Sequence, residues 1–524
     1  MTTIGQFSSS VQDQIRTSQR NSVSLQFARV AETQRDTIAL KYQDRSWTYT
    51  KLNQAITAAA AQLRSLGLQA GDRVAVMGKN SDTFLILFFA ASRAGLVHVP
   101  INFALTGPEL QYLVDDSAST TIIVDDEYEA TVQAIAESTG LNHVVRISQI
   151  SEHIETVLAN ERQCQEAAEL EKWDTAEETD LAQLLYTSGT TSAPKGAMLT
   201  QRALLAHYNG TVQSLDMTAD DNPLVPMPLY HSAAMHVFSA PYLMLGATIR
   251  LMRIPDIPEI LQRIEEEHIG SLFLAPTVWV PLSQHPDLEK RDLSSLKKAQ
   301  YGASIMPVTV LQRLREDYPK IGFYNCFGQS EMAPLCTVLR PEEHDERPAS
   351  AGRPIVTVQL RVVDPSTGEE ADTGTTGEVQ YRSPQLFSGY WNKPDQTAEA
   401  FMDGWFRSGD LVVMDEQGYI EVVDRIKDVI NTGGVLVASR EVEDAIYRHP
   451  AVAEVAVVGR AHEKWIEQVT AVIVLKEGHK DVSADEIRDL TRETLARHKV
   501  PGHIEFVDEL PRNQSGKLLK RELK

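Results

Sequence analysis

Three cysteines in 524 residues, Cys164, Cys326 and Cys336, are too few and too scattered for a disulfide framework. They form no CxxC pair, which also removes the usual zinc spacing. A reducing compartment is expected. Positive charge is short as well: 50 Lys and Arg stand against 72 Asp and Glu, a formal net charge of −22. Such a chain repels nucleic acid and anionic membrane, so neither is an expected partner, and any polyphosphate must be met by local charge. Long uninterrupted apolar runs are missing. Residues 84–91 are stopped by Arg93, and residues 235–252 are interrupted by His236, Pro241, Gly246 and Arg250. Both are expected as buried helices, with no stable membrane insertion. Residues 1–20 are rich in Ser, Thr and Gln and lack the apolar segment of a secretory signal. The expectation is a cytoplasmic protein.

The length implies roughly two to four domains or subdomains. Residues 39–42 and 46–49 read as short strands about the Gln43-Asp44-Arg45 turn. Thr50 is the expected N-cap of a helix with Leu52, Ile56, Ala59, Leu63 and Leu66 on one face. Strands are expected at 73–77, 97–100 and 120–124, with a helix from Asp82 between the first two. This alternation resumes at 248–252, 257–267, 271–275 and 323–327, and predicts an α/β fold with a largely parallel sheet. Residues 160–180, rich in Glu and Ala, read as a solvated helix or loop. From about Ser350 Gly and Pro become frequent. Strands at 377–382 and 418–423 predict a small antiparallel, barrel-like sheet there. Beyond residues 424–428 come a helix at 440–448, strands at 452–459 and 468–475, and a helix at 484–497. These make an α+β unit of about 100 residues. The expected division is 1–424, a hinge over 425–428, and 429–524.

Residues 186–196 read Tyr-Thr-Ser-Gly-Thr-Thr-Ser-Ala-Pro-Lys-Gly, directly after the apolar pair Leu184-Leu185. Small residues free backbone N–H groups to point at oxygen anions. Hydroxyls add donors and can hold a magnesium ion, and lysine adds a mobile positive charge. These are the parts of a polyphosphate-gripping loop, although the Walker spacing is absent. The same composition suits a polar surface loop, so the remaining motifs decide.

Those motifs follow in order. Met227-Pro228-Leu229-Tyr230-His231-Ser232 sets a histidine beside small residues at a strand end. Tyr301-Gly302-Ala303-Ser304 permits close approach to a planar base. Tyr324-Asn325-Cys326-Phe327-Gly328-Gln329-Ser330-Glu331 supplies an aromatic platform and then a carboxylate. Trp405-Phe406-Arg407-Ser408-Gly409-Asp410 ends in an acceptor suited to ribose hydroxyls. Pro511-Arg512-Asn513-Gln514-Ser515-Gly516-Lys517 places a lysine on a glycine turn. Singly, each has a plain reading as turn, cap or surface charge. Together, in this order, they resemble the core motifs of the adenylate-forming superfamily: acyl-CoA synthetases, peptide-synthetase adenylation domains and beetle luciferases. The resemblance spans residues 25–523.

It implies a two-step reaction. A carboxylate attacks the α-phosphate of ATP, giving an acyl-adenylate and pyrophosphate; a nucleophile then takes the acyl group and AMP leaves. Thr187, Ser188, Gly189, Thr190, Thr191 and Lys195 would hold the phosphates. Glu331 and Thr190 would hold Mg2+. Gly302, Ala303, Phe327 and Gly328 would enclose adenine, Asp410 would bind the ribose, and Arg425 would contact the nucleotide. Lys517 would bridge carboxylate and α-phosphate. The family's small C-terminal domain is mobile about a hinge that falls on Lys427, which would bring Gly433, Gly434, Val435 and Leu436 to the acceptor tunnel. His231 would stand at the mouth of an acyl pocket lined by Met235, His236, Tyr301, Phe327 and Pro334. These large, mostly apolar side chains imply a hydrophobic acid.

Two positions depart from the family pattern. Ser192 stands where a third glycine is common, and Val435-Leu436 replaces the polar pair that many CoA ligases carry after two glycines. The acceptor is therefore open between CoA, an amino acid as in coronafacate ligase, and a carrier protein. The chain stops seven residues after Lys517, so no attached carrier domain is expected. A nucleotide-binding regulator without activity is the non-enzyme alternative, and the presence of Lys517, Glu331, Asp410 and Arg425 argues against it.

Overall fold

The computed structural model describes residues 9–169, 176–187, 193–304, 306–433, 435–476, 478–479, 481–512 and 518–524. The alternation of strand and helix yields two mixed sheets with parallel interiors. One runs, edge to edge, His143–Arg146, Thr121–Val124, Arg73–Met77, Val97–Ile101, Leu181–Thr187 and Lys195–Thr200. All its neighbours are parallel except the last pair, an antiparallel hairpin. The other has nine strands. Its parallel interior comprises Gly322–Gly328, Lys298–Gly302, Ser271–Leu274, Pro223–Val225, Ile249–Leu251 and Ile38–Tyr42. Antiparallel strands close both edges, Leu335–Leu339 and Arg353–Pro354 at one, Arg45–Thr48 at the other.

Between these sheets lies the helix Asp82–Arg93, which touches strands of both. All twelve of its residues are buried, as a helix that is apolar all round requires. Its terminal charge is satisfied inside: Arg93 donates to Ser24 Oγ at 2.8 Å and to Asn53 Oδ1 at 2.7 Å. The helix after the first hairpin runs Tyr49–Ser65, and its N-cap is Thr48, whose hydroxyl accepts from Lys51 N at 3.2 Å. The sequence reading put the cap at Thr50. The earlier start follows from Tyr49, which is wholly buried with its hydroxyl on the carbonyls of Leu243 and Ala247. The interrupted run 235–252 becomes a π-turn Ala233–Val237, a helix Ala240–Leu245 and the strand Ile249–Leu251. Pro241 opens the helix and Gly246, at φ +85°, ends it.

Two smaller sheets follow. Gln359–Val363, Thr376–Arg382 and Trp405–Met414 form an antiparallel array, and Phe401–Met402 and Ile420–Arg425 both pair with its third strand. The C-terminal sheet joins Val435–Val437, Ile430–Thr432, Ile466–Leu475 and Val452–His462, with His503–Phe506 alongside Ile466–Leu475. Helices Ser439–Ile446 and Ala484–Thr494 pack with it, and Val442, Ile446, Val457, Ala471, Ile473 and Ile487 share one buried cluster. The whole is α/β with an antiparallel subunit and a small α+β end, the architecture read from the alternation. Among the described residues, no helix is long and apolar enough to cross a membrane.

Candidate active site

The hydroxyl-rich segment joins Leu181–Thr187 to Lys195–Thr200. Its stems are in register, with Thr187 opposite Lys195 and Tyr186 opposite Gly196. Ser188, Gly189, Thr190, Thr191 and Ser192 lie outside the described residues. The returning strand is braced by residues 388–391: Met198 N donates to Gly389 O at 3.0 Å and Trp391 N to Gly196 O at 2.8 Å. This brace sets Tyr390 under Lys195, whose ammonium sits 4.9 Å from the ring centroid, close enough for a cation–π attraction. The Tyr390 hydroxyl donates to Glu331 Oε1 at 2.9 Å. Burial first, and then the Glu331 charge, raise the Tyr390 phenol pKa, so it stays a donor.

Glu331 is 8% exposed and sits in the turn Ser330–Met332. Buried Gln385 fixes the following backbone, donating to the Met332 and Leu335 carbonyls at 2.7 Å each. Arg425 feels Glu331 too, but pairs chiefly with Asp410: Nε to Oδ1 is 2.8 Å. That carboxylate raises the guanidinium pKa against the opposing effect of burial, with Glu331 and Asp428 adding to it. The two residues face each other across the antiparallel strands Trp405–Met414 and Ile420–Arg425. Lys195, Tyr390, Glu331, Arg425 and Asp410 thus gather in one neighbourhood, although Lys195 and Arg425 are 230 positions apart in sequence.

The small residues have additional reasons to be small. A Cβ on Gly302 would lie 2.1 Å from the Cys326 carbonyl oxygen, and one on Gly328 would lie 1.9 Å from that of Pro334. These glycines let protein backbone approach protein backbone at the ends of Lys298–Gly302 and Gly322–Gly328. Ala303, exposed at φ +64°, turns the chain there. Phe327 is half-buried.

The proposed acyl-pocket residues divide. His231 is partly exposed, and its Nδ1 accepts from Ala233 N at 3.4 Å. Met235 is 1% exposed, Pro334 is buried after a cis peptide bond, and Tyr301 donates its hydroxyl to His344 Nε2 at 3.0 Å. His236 is fully buried with both ring nitrogens engaged. Its Nε2 donates to Gln183 Oε1 at 2.8 Å, and its Nδ1 accepts from the Tyr208 hydroxyl at 2.9 Å. Gln183 in turn donates to His98 Nδ1 at 3.0 Å. Burial holds the His98 and His207 imidazoles neutral, down to about 3, and also depresses His236.

Beyond Arg425, Lys427 is exposed, and its carbonyl accepts from Lys524 Nζ at 3.4 Å. Gly433 turns a hairpin at φ +66° between Ile430–Thr432 and Val435–Val437. Val435 and Leu436 are 46% and 67% exposed. Gly434 and Lys517 lie outside the described residues. Among the described residues, no group of three or more His, Cys, Asp or Glu could hold a metal ion alone. Mg2+ needs only one or two carboxylates beside phosphate oxygens, and Glu331 offers a hard oxygen donor of that kind.

The AMP-binding enzyme family matches residues 27–391, and the AMP-binding enzyme C-terminal domain matches residues 441–517. The chain belongs to the adenylate-forming AMP-binding enzymes. This AMP-binding enzyme is 35% identical to a feruloyl-CoA synthase of Amycolatopsis over 487 residues, covering 93% of the chain and 95% of the relative. It is 31% identical to the indoleacetate–CoA ligase of Aromatoleum aromaticum, covering 93% and 94%. Its fold is similar to that of ATP-bound MatB from Rhodopseudomonas palustris, with TM-score 0.86, 29% identity and coverage of 96% and 98%. Both of these curated relatives are CoA ligases, and another, 30% identical over 512 residues, is a fatty acid–acyl-carrier-protein ligase of Streptomyces coeruleorubidus; the chain is an adenylate-forming ligase of that kin.

Two members of the site, Tyr390 and Gln385, escaped the sequence reading. Ser388-Gly389-Tyr390-Trp391 is a small-residue turn with paired aromatics, the one signal that pointed there.

Proposed function

We propose that this enzyme activates a hydrophobic, ring-bearing or fatty carboxylic acid as its acyl-adenylate and passes the acyl group to CoA. The observation that carries the reading is the seating of Lys195 on Tyr390 and of Tyr390 on Glu331, beside the Arg425–Asp410 pair whose guanidinium feels the Glu331 charge. It brings together a lysine at the stem of the phosphate loop, a metal-suited carboxylate and a ribose-suited carboxylate. The similarity to a feruloyl-CoA synthase and to an indoleacetate–CoA ligase favours a ring in the acid.

In this reading Lys195 neutralises phosphate charge from a fixed seat on the Tyr390 ring. Glu331 and Thr190 hold Mg2+, which when bound offsets charge on the phosphates. Asp410, oriented by Arg425, holds the ribose, and Gly302, Ala303, Phe327 and Gly328 border the adenine. An oxygen of the acid attacks the α-phosphorus, the bond to pyrophosphate breaks, and Lys517 donates to both reacting anions. The CoA thiolate sulfur then attacks the acyl carbon and AMP departs. Rotation about Lys427, within a hinge over 425–428 between units 1–424 and 429–524, would exchange Lys517 for the Gly433 hairpin between the steps. The exposed apolar pair Val435 and Leu436 favours one second reading, in which an amino acid amine takes the acyl group.

The test is pyrophosphate release across a panel of aryl, arylalkanoic and fatty acids with MgATP, followed by product analysis with CoA or with amino acids. Release with ring-bearing acids and thioester product is expected. No release with any hydrophobic acid overturns the proposal, and amide without thioester replaces CoA as acceptor.

A further inference from the structure

A polar cluster stands behind the phosphate hairpin. Asp116 lies in the helix Gly107–Ser117, and its side chain is only 12% exposed. Its Oδ2 accepts from the Tyr186 hydroxyl at 2.8 Å, and its Oδ1 accepts from the Lys393 ammonium. The Tyr112 hydroxyl, one turn earlier on the same helix, lies 3.2 Å from Asp116 Oδ1 and 2.9 Å from the Pro194 carbonyl oxygen. Tyr186 and Pro194 are the two stems of the loop. Lys393 follows the segment that braces the returning strand and carries Tyr390. One carboxylate therefore reaches the outgoing stem and the brace directly, and stands beside Tyr112, whose single hydroxyl proton is shared between it and the Pro194 carbonyl of the returning stem.

The ring of Tyr186 lies across Gly196, its partner in the hairpin, where a Cβ would meet it at 3.1 Å, so the outgoing stem is held against the returning one as well as to Asp116. Burial, followed by the neighbouring Asp116, keeps the Tyr186 phenol protonated and donating. Asp116 heads the causes that raise the Lys393 ammonium pKa. A half-buried ion pair is a poor source of stability, since desolvation consumes much of its Coulombic gain. What it does supply is registry, and all three partners of Asp116 belong to the loop's mounting.

We propose that Asp116 is a positioning residue that sets the spacing of the phosphate-loop stems, so that the loop meets the β- and γ-phosphates of ATP. The inference rests on reading residues 186–196 as the ATP phosphate loop. Loss of Asp116 weakens the grip on ATP, and leaves AMP, which lacks those phosphates, bound as before.

ATP and AMP affinities measured by calorimetric titration on the full chain test this. For Asp116→Ala we expect ATP affinity to fall roughly ten- to hundredfold, the worth of a charged hydrogen bond, with AMP affinity within about twofold. Asp116→Asn keeps an acceptor for tyrosine and should fall between Ala and the unaltered enzyme. Tyr112→Phe frees only the Pro194 stem and should show a smaller loss of the same selectivity. If Asp116→Ala does not fold, these two variants decide. Equal weakening of ATP and AMP, or unchanged ATP affinity, overturns the proposal. Unaltered enzyme that binds AMP but not ATP overturns the phosphate-loop reading as well. ATP binding without turnover of any acid would sink only the proposed acyl chemistry.

Discussion

Tyr390 makes two separable contacts with one side chain. Its hydroxyl serves Glu331 and its ring seats Lys195. Tyr390→Phe keeps the ring and should lower the rate of pyrophosphate release by about tenfold, the scale of one hydrogen bond to a charged group. Tyr390→Leu removes both contacts and should add a rise in the KM for ATP. Identical kinetics for the two variants would refute the Lys195 contact. Gly302→Ala forces a methyl against the Cys326 carbonyl, and overpacking of this kind costs about 1–3 kcal/mol. A lowered denaturant midpoint is expected, and an unchanged one would show that the strands can part. Lys517→Ala should abolish adenylation yet spare conversion of a supplied acyl-adenylate; equal loss of both half-reactions would refute its assignment to the first. The glycine and charge motifs were legible in sequence because each packs its chemistry into a few consecutive residues. Tyr390 and Asp116 were not, because the partners that give them their roles, Glu331, Tyr186 and Lys393, lie 59 to 277 positions away.

At the scale of elements, hydrophobic alternation located strands and helices well and their ends less so. The helix Asp82–Arg93 was readable from its apolar run, whereas the Thr48 cap depended on Tyr49 reaching carbonyls almost two hundred residues away. Four buried histidines, His98, His207, His236 and His344, shape the acid behaviour. His98 and His207 stay neutral in the fold to about pH 3, His344 to about 4, and His236 is depressed as well, all chiefly by burial. Their unfolded imidazoles bind protons near pH 6.5. Below that, only the unfolded chain gains protons, so stability is full above pH 6.5 and drains as pH falls toward 4. Each histidine contributes up to ~1.4 kcal/mol per pH unit. Denaturant midpoints at pH 7 and pH 5 should differ clearly, and replacing His98 with Gln should flatten the slope. An equal slope in that variant would remove His98 from the account.

At the scale of the molecule, the sequence conveyed the classes of the sheets but not their order. Strand order is fixed by which apolar faces meet, and no local pattern records that. The nine-stranded sheet shows it: Ile38–Tyr42 pairs with Ile249–Leu251, not with a neighbour in sequence beyond its own hairpin. The two-step reading makes a prediction at this scale. Lys427→Pro restricts one backbone torsion in the segment between the two smaller sheets. It should leave single-turnover pyrophosphate release intact and slow product transfer about a hundredfold, as a frozen domain rotation would. Equal effects on both steps would refute Lys427 as the pivot.

The placement of Ile38–Tyr42 also bears on how the chain is made. Among the described residues its one sheet partner outside the hairpin is Ile249–Leu251, so the first hairpin waits until about two hundred further residues have left the ribosome. At roughly 5–20 residues per second that interval is about 10–40 s. Over that interval the unpaired edge of Ile38–Tyr42 is open to pairing with other chains. The yield of the protein in a cell should follow synthesis speed and temperature more closely than the stability of the finished fold.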